Sequence, residues 1–252
     1  MPFNRLSTSK IAKAIGCHPN TVRYYEQIGF IAPVPRSPKG YRLYSEAHLD
    51  QMRLARTAME GAWPGPNIRR SAVALIRCSA AQDYPAVLEQ ARKHLKVVLS
   101  EREQAEAAAD FLEQWAQGDY QERGSIALQT SQAAQVVNIT VDALRNWERN
   151  GLINVPRNPA NRYRRYGAAE IGRLRVIRLL RQVGYSPMAI LRMLLQFDQG
   201  VNTTNLRQVL DTPRPDEDVY MAADRWLTTL NEQEQRALQL IGIAEEMMRK
   251  YG

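Results

Sequence analysis

Arg23 and Arg145 hold matching places in two related stretches of the chain, Thr21-Val-Arg-Tyr-Tyr-Glu-Gln-Ile-Gly-Phe-Ile31 and Ala143-Leu-Arg-Asn-Trp-Glu-Arg-Asn-Gly-Leu-Ile153, 122 positions apart. A guanidinium presented by a helix can bond bidentately to guanine O6 and N7 or clamp a phosphate. The competing reading is a surface ion pair with Glu26 or Glu148, three residues on. Downstream of each stretch the charge is denser: Arg36, Lys39 and Arg42 in the first copy, Arg157, Arg162, Arg164 and Arg165 in the second. These residues sit beside Tyr41, Tyr44, Tyr163 and Tyr166, an interleaving of basic and aromatic groups suited to phosphate and sugar contact. The chemistry is recognition of a polyanion. No Gly-rich phosphate loop, nucleophile elbow or carboxylate and histidine constellation points to an enzyme, and no cofactor or metal site is expected.

The elements that must position these groups are duplicated. The same offset superposes Leu6 on Leu128, Ser9 on Ser131, Tyr41-Arg-Leu-Tyr44 on Tyr163-Arg-Arg-Tyr166, Arg53 on Arg175 and Ile68 on Ile190, with no net insertion. In the first copy Ser7 to Ser9 offer N-cap hydroxyls, Ile11, Ala14 and Ile15 form an apolar face, and Gly16 ends the helix. Pro19 then suits the first turn of a second helix, which Gly29 stops. This is a helix-turn-helix. The proline-rich run from Pro33 to Arg42 predicts a small two-stranded wing. A third helix is predicted from Ser45-Glu46 through Ala58 and a fourth from Ile68 to Cys78. His18, Asn20 and Thr21, with Thr140 and Asp142 opposite, open the second helices and either reach base edges or cap them. Tyr25 and Trp147 are expected to pack inward, and Tyr44 and Tyr166 to join the core.

The run Thr-Val-Arg-Tyr-Tyr-Glu-x-x-Gly-Phe-Ile, followed by Gly-Tyr-Arg-x-Tyr, resembles the winged-helix DNA-binding domain of the mercury-resistance-regulator (MerR) family. The resemblance covers about residues 6 to 78 and, in altered form, 128 to 200. It implies a second helix in the major groove of double-stranded DNA and a wing on the flanking backbone. Tyr24 looks like the family's phosphate-contacting tyrosine, while its counterpart here is Asn146. The family is identified with binding in an overlong promoter spacer, distorting the duplex so that RNA polymerase can engage. Its members usually carry one such domain per chain and dimerise, and its metal-sensing cysteines near the end of the coil have no counterpart here.

Composition agrees. The net charge of +8 is partitioned: residues 1 to 82 hold 12 Lys/Arg against 4 Asp/Glu, and residues 125 to 214 hold 13 against 5. Residues 83 to 124 hold 5 against 9, and 215 to 252 hold 4 against 8. Positive charge confined to the repeats is an electrostatic footprint for a polyanion. Cys17 and Cys78 lack metal-finger spacing and are read as partly buried thiols. No apolar run suits a membrane span or a signal peptide, so a cytoplasmic location without membrane contact is expected.

Between and after the repeats the pattern changes to heptads. Tyr84, Leu88, Ala91, Leu95, Val98, Arg102, Ala105, Ala109, Leu112 and Ala116 form one seam, and Ala223, Leu227, Leu230, Glu234, Ala237, Ile241, Ala244 and Met248 another. Each seam is interrupted once, by Arg102 and by Glu234. Antiparallel pairing with these two opposed aligns Leu95 with Ile241 and Leu88 with Met248. The sequence thus predicts a mainly α fold: two winged helix-turn-helix domains, each with a small β wing, joined and paired through long antiparallel coiled-coil helices. The expected domains are 1–82 and 125–214 for DNA binding, 83–124 as coil and linker, and 215–252 as the final coil helix. A helix of 34 residues spans roughly 50 Å, enough to bridge two half-sites about 34 Å apart, and Gly118 to Ser125 can connect its end to the second repeat. The chain reads as a covalent pseudo-dimer regulating transcription at a bipartite asymmetric site, with a homodimer by helix exchange as the alternative. Two other functions compete: a drug-binding protein with an aromatic pocket of Phe111, Trp115, Tyr220 and Trp226, and an architectural DNA-bending protein.

Overall fold

Ser7, ahead of the first apolar stripe, accepts a hydrogen bond from the Lys10 amide at 3.3 Å and so starts the first of the chain's helices. The computed structural model describes residues 6–61, 65–118, 127–200, 205–213 and 222–252. In order the helices are α1 (Thr8–Ile15), α2 (Pro19–Gln27), α3 (Glu46–Met59), α4 (Pro66–Ala80), α5 (Tyr84–Gln117), α6 (Thr130–Val137), α7 (Val141–Arg149), α8 (Ala168–Gln182), α9 (Pro187–Asp198), α10 (Leu206–Asp211) and α11 (Trp226–Tyr251). A 3-10 turn, Ala222–Arg225, precedes α11. None of these helices is long and apolar enough to cross a membrane.

The repeat in sequence is a repeat in structure. The helices α6 and α7 begin and end 122 residues after α1 and α2. The left-handed residue that ends the first helix is Gly16 (φ 69°) in one copy and Asn138 (φ 56°) in the other, the two residue types that tolerate this conformation best. Each copy is closed by an antiparallel bridge, Leu6 to Tyr44 and Leu128 to Tyr166, with both tyrosines fully buried.

The expected two-stranded wing is reduced to one antiparallel bridge per repeat, Arg36 with Arg42 and Arg157 with Arg164. Pro33, Pro35 and Pro38 lack the N–H groups a longer ladder needs, as do Pro156 and Pro159. The second loop is also one residue longer. Leu43 donates to Pro35 O while Arg165 donates to Pro156 O, so the offset falls to 121 on the approach and returns to 122 after the tip.

The chain divides into two compact units, 1–100 with 230–252, and 101–229. In the first, Ile11, Val22, Tyr25, Tyr44, Leu54 and Leu75 share one core with Tyr84, Val87 and Ala91 of α5 and Leu240, Ala244 and Met247 of α11. Burying each large side chain contributes about 1.5 to 3 kcal/mol. Two polar anchors fix the layers. Buried Gln51 of α3 accepts from the Ala32 amide at 2.9 Å and donates to Ser79 O at 2.8 Å, tying α3 to α4 and to the segment after α2. Buried Asp50 accepts from Arg53, Lys250 and the Tyr251 hydroxyl at 3.1, 3.1 and 2.9 Å, clamping the end of α11 to α3. The Tyr251 ring lies 5.2 Å from that of Tyr84.

Along the long helices the deepest stripe runs one residue earlier at alternate positions than the heptads suggest. Val87, His94, Gln233, Leu240 and Met247 are buried, whereas Leu88, Leu95, Glu234, Ile241 and Met248 are half-buried. The cause is a third layer: α5 and α11 pack against the helix-turn-helix as well as against apolar partners on each other, which turns their faces toward that core. Arg102 forms an ion pair with Glu106 on its own helix at 3.5 Å.

In the second unit the buried Arg192 donates to Val209 O, Leu210 O and Asp224 O at 2.8, 2.9 and 3.2 Å, holding α10 and the 3-10 turn against α9. Ser186 receives the Ala189 amide at 3.0 Å and bonds the Asp224 carboxylate. Trp226, 4% exposed, lies over Gly184, where a Cβ would come 2.5 Å from the indole.

His94 is 1% exposed and its Nδ1 finds no hydrogen-bond partner among the described residues. Burial depresses its pKa to about 4, below the ordinary value near 6.5 that the unfolded chain retains. The neutral form is therefore the folded one, and stability is lost as pH falls from about 6.5 toward 4, by up to roughly 3 kcal/mol. Thermal unfolding at pH 7 and pH 5 should show His94→Leu losing clearly less stability on acidification than the wild type. Equal losses in both proteins would mean that His94 is not buried as described.

Candidate nucleic-acid interface

His18 and Thr140 start the two second helices by capping them. His18 Nδ1 accepts from the Asn20 amide at 3.2 Å, and Thr140 Oγ1 accepts from the Ala143 amide at 3.0 Å. With the starts fixed, the 3.6-residue period sorts each helix into an inner and an outer face. In α2, Val22 and Tyr25 are buried, Thr21 is half-buried, and Asn20, Arg23 and Tyr24 are exposed. In α7, Leu144 is buried, and Asp142, Arg145, Asn146 and Arg149 are exposed. Trp147 packs less deeply than its counterpart Tyr25.

The two arginines on the outer faces have local partners of different charge. Arg23 Nη1 donates to Asn20 Oδ1 at 3.0 Å, while Arg145 Nη1 lies 4.0 Å from Asp142 Oδ1. Asn146 Oδ1 is held by the Asn150 amide group, which also donates to Asn146 O at 2.9 Å.

The glutamates on the same helices go elsewhere. Glu26 pairs with Arg42 at 2.5 Å and Glu148 with Arg164 at 2.8 Å, each across sixteen residues. Both pairs are mostly buried, at 27% and 16% side-chain exposure in the first and 31% and 20% in the second. The hydrogen bonds raise each guanidinium's pKa further. Arg42 and Arg164 thus brace the bridge loop against the recognition helix, and their free hydrogen-bonding capacity is reduced. The loop tips carry the exposed groups: Arg36, Lys39 and Tyr41 (71%) in the first copy, Arg157, Arg162, Tyr163 (68%) and Arg165 in the second. Arg36 reaches Gly40 O at 3.5 Å and Arg157 reaches Arg162 O at 3.4 Å, the same contact in both.

Sequence reasoning weighed Glu26 and Glu148 only as partners for the arginine three residues before. Their repetition with an arginine sixteen residues on, at 42 and again at 164, was the available signal.

Three of the four residues read as an aromatic pocket lie among the described residues. Trp115 stacks on Phe197 at 4.5 Å and lies against Gly172, Trp226 covers Gly184, and Phe111 is half-buried. Tyr220 lies outside the described residues.

Comparison with known proteins agrees with this geometry. Residues 7–44 match the family described as MerR family regulatory protein, and residues 128–196 match MerR HTH family regulatory protein. The chain is 36% identical over 55 residues to the HTH-type transcriptional regulator CueR of Escherichia coli O157:H7, covering 22% of this chain and 41% of that protein. It is 48% identical over 42 residues to the HTH-type transcriptional regulator ZntR homolog of Haemophilus influenzae, covering 17% and 31%. Over 115 residues it is 27% identical to a probable heavy metal-dependent transcriptional regulator of the same organism, covering 44% and 84%. The chain thus spans about two fifths of the length of the first-mentioned relative. No solved structure matches it. Each helix-turn-helix segment is thus similar to MerR-family regulatory proteins.

At the tip of the loop the left-handed position is Gly40 (φ 80°) in the first copy and Arg162 (φ 59°) in the second. A side chain in this conformation costs about 1 kcal/mol that glycine avoids, offset in part by glycine's greater freedom when unfolded. Arg162→Gly should therefore leave thermal stability unchanged or raise it by up to about 1 kcal/mol. A drop in melting temperature of several degrees would show the loop is not built this way.

Proposed function

We propose that this chain is a sequence-specific, double-stranded-DNA-binding regulator of transcription that carries both half-site readers of a MerR-type dimer in one polypeptide. The observation that carries the reading is the repetition of a complete unit: capped recognition helix, braced loop and exposed Arg/Tyr tip. Residues 1–82 and 125–214 are the two DNA-binding domains, 83–124 and 215–252 the helices and linker that join them. Arg23, Tyr24, Arg145 and Asn146, with Asn20, Thr21 and Asp142 beside them, face the major groove. His18 and Thr140 act by holding the helix starts. Arg36, Lys39, Tyr41, Arg157, Arg162, Tyr163 and Arg165 meet the phosphate backbone, which sets register without reading sequence. Arg42 and Arg164 contribute mainly by aiming the loop.

Antiparallel pairing of α5 with α11 belongs to the same proposal. It is supported within the first unit by Tyr84 beside Tyr251 and by Arg92 paired with Glu245 at 3.9 Å, numbers that fall on one helix as they rise on the other. Such a chain acts as a pseudo-dimer on an asymmetric promoter site, and distortion of the spacer for RNA polymerase follows from the family resemblance. The drug-binding reading is the weaker one, because Trp115 and Trp226 are spent covering glycines.

Selection of binding sites from random duplexes should return a bipartite, non-palindromic sequence occupied by one chain, read by light scattering or native mass spectrometry. Two chains on the minimal site would sink the pseudo-dimer. Within such a site Arg23→Ala should cost about 1 to 3 kcal/mol and relax preference at one position. Arg165→Ala should weaken binding to all sequences alike and flatten the salt slope by about one unit. Identical losses on specific and random DNA for both variants would show the roles are wrongly divided.

A further inference from the structure

The two recognition helices differ in charge at two places, Asn20 against Asp142 and Gln27 against Arg149, and the first of these falls where a guanidinium is being aimed. In α2 the residue that holds Arg23 is Asn20, a neutral amide whose Oδ1 accepts at 3.0 Å. At the equivalent place in α7 stands Asp142, whose carboxylate lies 4.0 Å from Arg145 Nη1. The Asp142 side chain is 95% exposed and that of Arg145 62% exposed, so both stand on the outer face. The other acid of α7, Glu148, is mostly buried against Arg164. Asp142 is therefore the carboxylate that an approaching phosphate backbone would meet on this helix.

We propose that Asp142 is a specificity-determining and positioning residue, which makes the second repeat the discriminating reader. This rests on the DNA-binding reading above. The physical case has two parts. A negative charge on a surface that meets phosphate weakens binding to every sequence, since the unfavourable interaction does not depend on the bases. The same carboxylate restrains Arg145 on one side and can accept from a cytosine N4 amino group, so the lost affinity is regained only over the correct base pair. Asn20 restrains Arg23 without neutralising it, and Arg23 keeps its full attraction for any phosphate. The arrangement around Asn146 acts in the same direction. Its Oδ1 is occupied by Asn150, leaving an NH2 that donates to an acceptor, where the first repeat presents the exposed ring of Tyr24.

The test compares Asp142→Asn, Asp142→Glu and, in the first repeat, Asn20→Asp, all in the full chain, on the selected site and on random duplex of equal length. Asp142→Asn should bind random DNA several-fold more tightly, steepen the salt dependence by about 0.9 in log–log slope, and lose on the order of tenfold in specific-to-random ratio. Asp142→Glu should restore most of the ratio and slope, an outcome that a merely structural role would not give. Asn20→Asp should weaken binding to random DNA and flatten the slope. Thermal unfolding serves as the control for the fold. A wild-type chain that selects a site, with an Asp142→Asn ratio and slope unchanged, overturns this inference alone. A wild-type chain with no preferred sequence overturns the DNA-binding reading together with it.

Discussion

The carboxylate–guanidinium pair formed by Glu26 with Arg42, and again by Glu148 with Arg164, is the constraint on which the rest of each reader depends. A helix-turn-helix fixes the recognition helix against its own core through Val22 and Tyr25, or through Leu144. The core holds the base of the proline-rich loop through Val34 and Val155 but leaves its tip to other contacts. One bridge per loop is too little backbone pairing to hold it. The ion pair supplies the missing link, because a mostly buried guanidinium with a charge-assisted bond has few alternative positions. The exposed arginines and tyrosines at the tip inherit that orientation.

The same economy governs the attachment of the long helices. Asp50 is buried on α3 and would be costly to desolvate alone. Three donors from Arg53, Lys250 and Tyr251 surround it, and two of them come from the last turn of α11. The end of that helix is thereby fixed to the first reader. In the second unit Trp226, at the start of the same helix, is fixed by the cleft over Gly184, and Ser186 and Arg192 hold the preceding turn. Each end of α11 has its own anchor within its own unit.

The repeats share their main folding devices and differ at several positions on their exposed faces. Tyr44 and Tyr166, the Gly16 and Asn138 caps, and the glutamate braces are the same device twice. Asn20 against Asp142, Tyr24 against Asn146 and Gly40 against Arg162 are not. Two of these contrasts change charge and one accepts an unfavourable backbone conformation, and all three lie on exposed faces.

Several features were determined by the sequence alone. The duplication, the helix starts at Ser7 and Pro19, the inward tyrosines, and the division of charge between repeats and connectors all follow from spacing and residue type, because capping and helical periodicity act over a few residues. Contacts across longer separations were decided by the tertiary structure. Glu26 is three residues from Arg23 and sixteen from Arg42, and only the folded loop shows that the distant arginine wins. Heptad spacing marked α5 and α11 as amphipathic, yet it placed Leu95 and Glu234 in the seam where His94 and Gln233 lie deeper. A two-helix pattern cannot register a third layer. Once the helix-turn-helix core competes for the same face, the direction of greatest burial turns, and it turns far enough to bury a histidine that composition alone would have left on the surface.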